Sequence, residues 1–173
     1  MGNQRQAAEV ELAIMAGFFA GEGSVSLKKQ YGGGRVKCPA LYVSMGNTEK
    51  FWIESFQKQF GGSCYVEIPK NPKAKPVWRW RLHNAPARDF LIAIFPFLLG
   101  EKRQQAEIAI EFMKVKDARI ANWKWHTPEQ LTAMERFADQ MAELRRAVAE
   151  TKRAIVTPLR SDSPTLPAMA ANS

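Results

Sequence analysis

The sequence predicts an α+β domain: a helix and a β-hairpin, a second helix and hairpin, then further helices. Three observations carry this. Apolar residues recur at helical spacing in two segments, Leu12, Met15 and Phe19 in one and Phe51, Trp52, Phe56 and Phe60 in the other. A later segment alternates as a strand does. In Val77 to His83, Trp78, Trp80 and Leu82 point one way, while Val77, Arg79, Arg81 and His83 point the other. Glycine runs at Gly32-Gly33-Gly34 and Gly61-Gly62 separate these segments where a turn or a helix stop is needed.

Taken in order, the first helix spans Glu9 to Gly21, with Gly21 and Gly23 ending it. Ser24 to Gln30 and Arg35 to Met45 form the first hairpin, turned by the glycine run. Asn47 or Thr48 caps a second helix reaching Phe60. Ser63 to Ile68 is a third strand, Pro69 to Pro76 a basic loop, and Val77 to His83 the fourth strand. The sheet thus has a greasy face that packs on helices and a cationic face that meets something else. Asn84 to Leu99 reads as a third helix, bent or ended near Pro96, and Lys102 to Arg119 as a fourth. Thr127-Pro128-Glu129-Gln130 is a capping box with proline at the first helical position, opening a long helix to about Lys152. The stretch from Thr157 to Ser173 is rich in Pro, Ser and Ala, a composition that predicts disorder. The expected organisation is one domain over residues 8–155 and a tail over 156–173, with no second copy of the first half.

The charge balance narrows the partner. Lys and Arg number 25 against 17 Asp and Glu, a net charge of +8. Between Ser24 and His83 there are eleven basic residues and three acids, so this stretch carries the whole excess. The pattern favours a polyanion, either nucleic acid or an anionic membrane surface. The basic residues lie on strands and a loop rather than an amphipathic helix, which argues against the membrane. Cys38 and Cys64, the only cysteines, make neither a disulfide framework nor a zinc pattern, and His83 and His126 lack metal-like spacing. The first ten residues are polar, and the longest apolar run of the first helix, Leu12 to Ala20, is about half a membrane span. Gln6 stands where myristoylation calls for Ser or Thr. A soluble intracellular protein is expected, with bacterial cytoplasm and organelle matrix not distinguished.

The chemistry concentrates in Leu12 to Ser24. Ala13, Gly17 and Gly21 fall at i, i+4 and i+8, with Ala16 and Ala20 beside them. Such a stripe lets two helix backbones approach closely. It leads to a single carboxylate, Glu22, at a helix C-terminus, where carbonyls and the helix dipole repel negative charge. A bound hard cation reverses that cost. Pairing two copies would gather two Glu22 carboxylates and nearby carbonyls, a plausible magnesium site for phosphodiester hydrolysis.

Met15-Ala16-Gly17-Phe18-Phe19-Ala20-Gly21-Glu22-Gly23-Ser24 resembles the motif of the LAGLIDADG homing endonucleases. The resemblance extends over Leu12 to Lys116, through Tyr42-Val43-Ser44-Met45-Gly46-Asn47-Thr48-Glu49 to Pro96-Phe97-Leu98 and Lys102-Arg103-Gln104-Gln105-Ala106. It implies an αββαββα core with a four-stranded antiparallel DNA-binding saddle and extra C-terminal helices. It implies Glu22 as a metal ligand and catalytic group, with the Gly21 carbonyl at the same site. Lys102 matches a basic residue that polarises water or stabilises the phosphate. The DNA face would present Ser24, Ser26, Lys28 and Gln30, then Tyr42 and Ser44, Tyr65 and Glu67, and Arg79 and Arg81. Arginine can read guanine bidentately, each contact worth roughly 1–3 kcal/mol of discrimination. Lys70, Lys73 and Lys75 would touch phosphates, giving salt-dependent affinity without sequence choice.

One motif per chain implies a homodimer joined through Ala13, Ala16, Gly17 and Ala20, and hence a near-palindromic double-stranded DNA target. Mg²⁺ is the implied cofactor, with Mn²⁺ or Ca²⁺ able to substitute in binding. The sequence departs from the pattern at Ala20, which replaces an acid. Met45 stands where related enzymes often carry a polar residue near the reactive water, and Glu49 falls near a position that can be basic. Two other readings fit the same features: a maturase that binds intron RNA, and a non-catalytic sequence-specific DNA-binding protein.

Overall fold

A computed structural model describes residues 2–32, 35–118 and 126–156, without the side chains of 2–3, 30–32, 35–37 and 155–156. Helix α1 (Gly2–Glu22) leads directly into strands β1 (Gly23–Gly32) and β2 (Arg35–Asn47). Helix α2 (Lys50–Phe60), strands β3 (Ser63–Glu67) and β4 (Val77–His83), and helix α3 (Asn84–Ile94) follow. A 3-10 turn (Phe95–Phe97) precedes α4 (Gly100–Asp117), and α5 (Pro128–Val156) completes the described chain. Gly33, Gly34 and the segment 157–173, where the hairpin turn and the disordered tail are expected, lie outside the described residues. Among the described residues no helix is long and apolar enough to cross a membrane.

Helix α1 begins seven residues before the expected Glu9. Residues 4–10 are all exposed, so no packing holds this turn. It rests on helix-forming Gln, Arg, Ala and Glu, and on an i,i+4 pair between Arg5 and Glu9. At its other end the helix runs through Gly21, and β1 starts at Gly23. A side chain at Gly23 would lie 2.2 Å from the Phe19 ring and 2.5 Å from the Phe19 carbonyl oxygen. Only glycine lets the strand leave the helix this closely.

The start of α2 differs from expectation. The residue at the boundary is Glu49, and it makes no side-chain cap. Asn47 instead accepts the Glu49 backbone N–H at 2.7 Å, closing a turn ahead of the helix. The α5 capping box is present as read: Gln130 N–H donates to Thr127 Oγ1 at 3.2 Å, and Thr127 N–H to Gln130 Oε1 at 3.0 Å.

All strand pairs are antiparallel, in the order β1-β2-β4-β3. One face of the sheet is core. Val25, Leu27, Leu41, Val43, Met45, Trp80 and Leu82 are buried there against Met15, Ala16 and Phe19 of α1, Ile53 and Phe56 of α2, and Phe90 of α3. Trp80 sits at the centre, its ring 5.2 Å from Phe56 and 5.1 Å from Phe90 between centroids. Its indole N–H donates to the Gly61 carbonyl at 2.7 Å, so the polar end of a fully buried ring is satisfied. Helices α4 and α5 extend this core through Ala106, Ala109, Phe112, Met134 and Met141.

Two expectations are corrected here. Ala16 has no exposed surface within the single chain, so it belongs to the core and not to a dimer interface. The inward stripe of α1 is Met15, Ala16 and Phe19, and Ala16 lies on its edge, one step round the helix from Gly17. Met45 is likewise 1% exposed and opposite Trp80 in the register, on the core side of β2. A departure there changes packing and has no reach to water on the polar face.

Candidate functional site

Strand register assembles the polar face residue by residue. Ser24, Ser44, Arg81 and Ser63 form one row across all four strands. Ser26, Tyr42 and His83 form the next, and Gly46, Arg79 and Tyr65 flank the row on the other side. Lys28 continues the β1 side, its ammonium 5.2 Å above the Tyr42 ring. Nearly every face residue expected from the sequence is therefore brought together by the pleat; Gln30 lies in β1, in register with Lys37.

The two arginines are held by their neighbours. Arg79 Nε donates to Glu67 Oε2 at 2.8 Å. Its guanidinium lies over Gly46, where a Cβ would come within 2.8 Å of Arg79 Nη1. Arg81 Nη2 donates to the Tyr65 hydroxyl at 2.7 Å, with the guanidinium carbon 5.4 Å from the ring centroid. Both contacts are solvent-exposed, so each pre-orients a planar donor group at little energetic cost. Lys70, Lys73 and Lys75 stand exposed on the β3–β4 loop. An Asn71-centred turn shapes that loop, Asn71 Oδ1 accepting the Lys73 N–H at 3.0 Å.

His83 was given no role from sequence, yet it occupies the row of Ser26 and Tyr42, its ring 4.5 Å from the Tyr42 ring. Burial and the nearby Arg81 and Lys28 hold its pKa below the ordinary value. Strand alternation alone puts it on this face, two residues after Arg81, without assigning it a role. Ser63 is the face residue missed, and its shared parity with Tyr65 and Glu67 in β3 is the signal that could have found it.

At the α1–β1 junction, Glu22 and Gly21 are exposed. Lys102 Nζ donates to the Gly23 carbonyl at 2.6 Å, from a position 79 residues away. Lys102 is half-buried and its pKa is pulled down. Desolvation is the main cause; Arg145 and Lys152 act the same way, and Glu101 opposes them. The fold thus places a partly desolvated cation against the carbonyl next to the candidate acidic ligand. Among the described residues no group of three His, Cys, Asp or Glu side chains could hold a metal ion within one chain.

On the outer face of α1, Gly17 and Gly21 are exposed, and a Cβ at either would meet nothing within 4 Å. Ala13 and Ala20 are half-buried beside them. Val10 and Ile14 on the same helix are 54% and 55% exposed.

No family model and no curated protein matches the sequence. Solved structures match its fold. The homing endonuclease I-CvuI, determined with an uncleaved DNA target and magnesium, superposes with a TM-score of 0.63 at 17% identity, over 79% of this chain and 82% of that one. The archaeal intron-encoded homing endonuclease I-Vdi141I, complexed with DNA, gives 0.63 at 16% identity over 79% and 85%. The LAGLIDADG homing endonuclease I-GzeII, with its DNA target, gives 0.57 at 12% identity over 73% of this chain but only 43% of that one. This chain has the LAGLIDADG homing endonuclease fold. Within that fold the polar sheet face and the α1–β1 junction are the two features described above, and they adjoin through Gly23 and Ser24.

Proposed function

We propose that the chain is a homodimeric, divalent-metal-dependent endonuclease that cuts double-stranded DNA at a long, near-palindromic site. The observation that carries this is the junction itself: exposed Glu22 immediately precedes Gly23, whose carbonyl accepts from Lys102, where the cationic sheet face begins. The sheet would lie against the DNA, with Arg79 and Arg81 supplying base contacts and Lys70, Lys73 and Lys75 phosphate contacts. Ser24, Ser26, Lys28, Gln30, Tyr42, Ser44, Tyr65 and Glu67 complete the surface. Solved proteins of this fold are bound to DNA, which supports the same partner here.

The donors fit a hard divalent cation. Glu22 and the Gly21 carbonyl offer oxygen ligands, and Mg²⁺ needs only one or two carboxylates plus waters and substrate phosphate. When bound, the metal would supply Lewis-acid stabilisation and a more acidic water. Mn²⁺ could serve likewise, and Ca²⁺ in binding. Glu22 would hold the metal at the scissile position. Lys102 would place positive charge where the phosphate becomes more negative.

Dimerisation through α1 is supported by Gly17 and Gly21, whose missing side chains answer no packing need within one chain. The corrected contact stripe is Ala13, Gly17 and Ala20, with Gly21.

The test is cleavage of a randomised DNA library with Mg²⁺ and with EDTA, for the native chain and Glu22→Gln. Magnesium-dependent double-strand cuts at one near-palindromic site, abolished in the variant while binding persists, are expected. Cutting that survives Glu22→Gln would overturn the assignment of Glu22. Sequence-specific binding with no nicking at any magnesium concentration would shift the reading to a regulator, or with intron RNA as ligand to a maturase.

A further inference from the structure

We propose that Gln105 is a positioning residue for Lys102, holding its ammonium group at the α1–β1 junction; this rests on the endonuclease reading for its catalytic consequence. Gln105 is 2% exposed and is the one polar or charged side chain fully buried among the described residues. A buried primary amide must find partners for both of its ends. Gln105 Nε2 donates to Glu101 Oε1 at 2.5 Å, and Gln105 Oε1 faces Lys102 Nζ at 3.5 Å. The neighbours settle which way round the amide sits. A carboxylate only accepts and an ammonium only donates, so the nitrogen must face Glu101 and the oxygen Lys102.

Helical spacing makes this arrangement possible. Gln105 follows Glu101 by four residues and Lys102 by three, so all three meet on one face of α4. Glu101 is tied in turn to α5 by Lys152, 3.8 Å away. The amide cannot rotate without losing both contacts. Lys102 has three hydrogens to donate: one goes to Gly23, one faces Gln105, and the third has no partner among the described residues. A flexible four-carbon stem is thereby held at one end of a fixed chain, Glu101–Gln105–Lys102–Gly23, with a donor left over for a phosphate or water.

Stability does not account for glutamine here. An apolar side chain of similar volume would fill the same space, and the partners it leaves, Glu101 and Lys102, are both partly exposed, so water can satisfy them. What the apolar exchange removes is the second point that orients Lys102.

The experiment compares Gln105→Met with the swapped pair Glu101→Gln/Gln105→Glu, which reverses the two ends of the same chain of contacts. Side-chain relaxation by NMR reads the order of the Lys102 methylene and ammonium groups in the DNA-free protein. Single-turnover cleavage and DNA affinity are read in parallel. Gln105→Met is expected to fold, to lower the order of the Lys102 side chain measurably below the native value, and to slow cleavage by ~10–100-fold with unchanged DNA affinity. The swapped pair is expected to restore both the order and most of the rate. Lys102 remaining as ordered in Gln105→Met as in the native chain would overturn the proposal. So would a rate loss that merely follows a fall in melting temperature or in DNA affinity. If Gln105→Met does not fold, Gln105→Leu is read the same way. If the native chain cuts no DNA, the endonuclease reading fails by itself and the Lys102 order still decides the role of Gln105.

Discussion

Arg79 and Glu67 meet as an exposed pair before any ligand arrives, with side-chain exposures of 41% and 56%. Such a pair adds between zero and about 1 kcal/mol to stability, so its importance lies in binding. Glu67 offsets part of the positive charge by which the sheet face as a whole attracts the DNA backbone. Glu67→Gln should leave the melting temperature nearly unchanged, raise non-specific DNA affinity, and steepen the salt dependence by about one unit of slope. Titration at several salt concentrations checks this. A loss of affinity for the cognate site would instead mean that Glu67 accepts a hydrogen bond from a base. His83 gives a pH signature on the same face. Its folded pKa is lowered, so its neutral form is the one the fold favours. The corresponding contribution to stability is present above the unfolded value of about 6.5 and is lost as pH falls through the lowered folded value. A nearby phosphate reverses the field, so DNA should raise the His83 pKa and binding should tighten as pH falls. NMR titration of the ring with and without DNA reads the shift; a pKa that DNA leaves unmoved would place His83 away from phosphate.

At the level of elements, the α2–β3 link shows how one backbone position governs a sheet edge. Gly62 has φ of +92°, and a Cβ there would lie 2.6 Å from Leu82 Cδ2 and 2.7 Å from the Arg81 carbonyl oxygen. The contact with backbone cannot relax by a rotamer change. Gly62→Ala should therefore cost about 1–3 kcal/mol, read as a lower urea midpoint with an unchanged m-value. Its neighbour Gly61 has φ of +70° but open space around it, so the same exchange there meets strain without collision. These glycines were legible in the sequence as a helix stop. The clash behind Gly62 was not, because Leu82 and Arg81 are twenty and nineteen positions away. The α5 start was fully legible, since a capping box uses residues three apart. The α2 start was misread because Asn47 serves the turn before the helix, a choice that depends on where β2 ends.

For the molecule as a whole, the outer face of α1 predicts opposite effects on folding and assembly. Gly17 lies inside a helix with nothing within 4 Å of its Cβ direction. Gly17→Arg should leave the single chain folded and stabilise the helix by roughly 0.5–1 kcal/mol, because glycine is a poor helix former. The same guanidinium would block a second helix from approaching. Sedimentation should show the native chain as a dimer and the variant as a folded monomer, with DNA cleavage reduced. A dimer that persists in Gly17→Arg would remove α1 from the interface.

Which side chains share a face was readable from the chain alone. Strand alternation and helical periodicity are properties of backbone geometry within a few residues, so Arg79 and Arg81 were assigned opposite Trp78, Trp80 and Leu82 without knowledge of any neighbour. The cationic stretch and the carboxylate at the end of α1 were readable for the same local reason. The tertiary structure decided whatever depends on how the layers stack. It set the strand order that aligns Ser24, Ser44, Arg81 and Ser63. It turned Ala16 inward while leaving Gly17 open, a difference of one step round a helix whose depth of burial is set by the sheet beneath it. It also carried Lys102 to Gly23 across 79 residues and buried Gln105 beside it, because the packing of α4 against the start of β1, and no local pattern, brings those groups together.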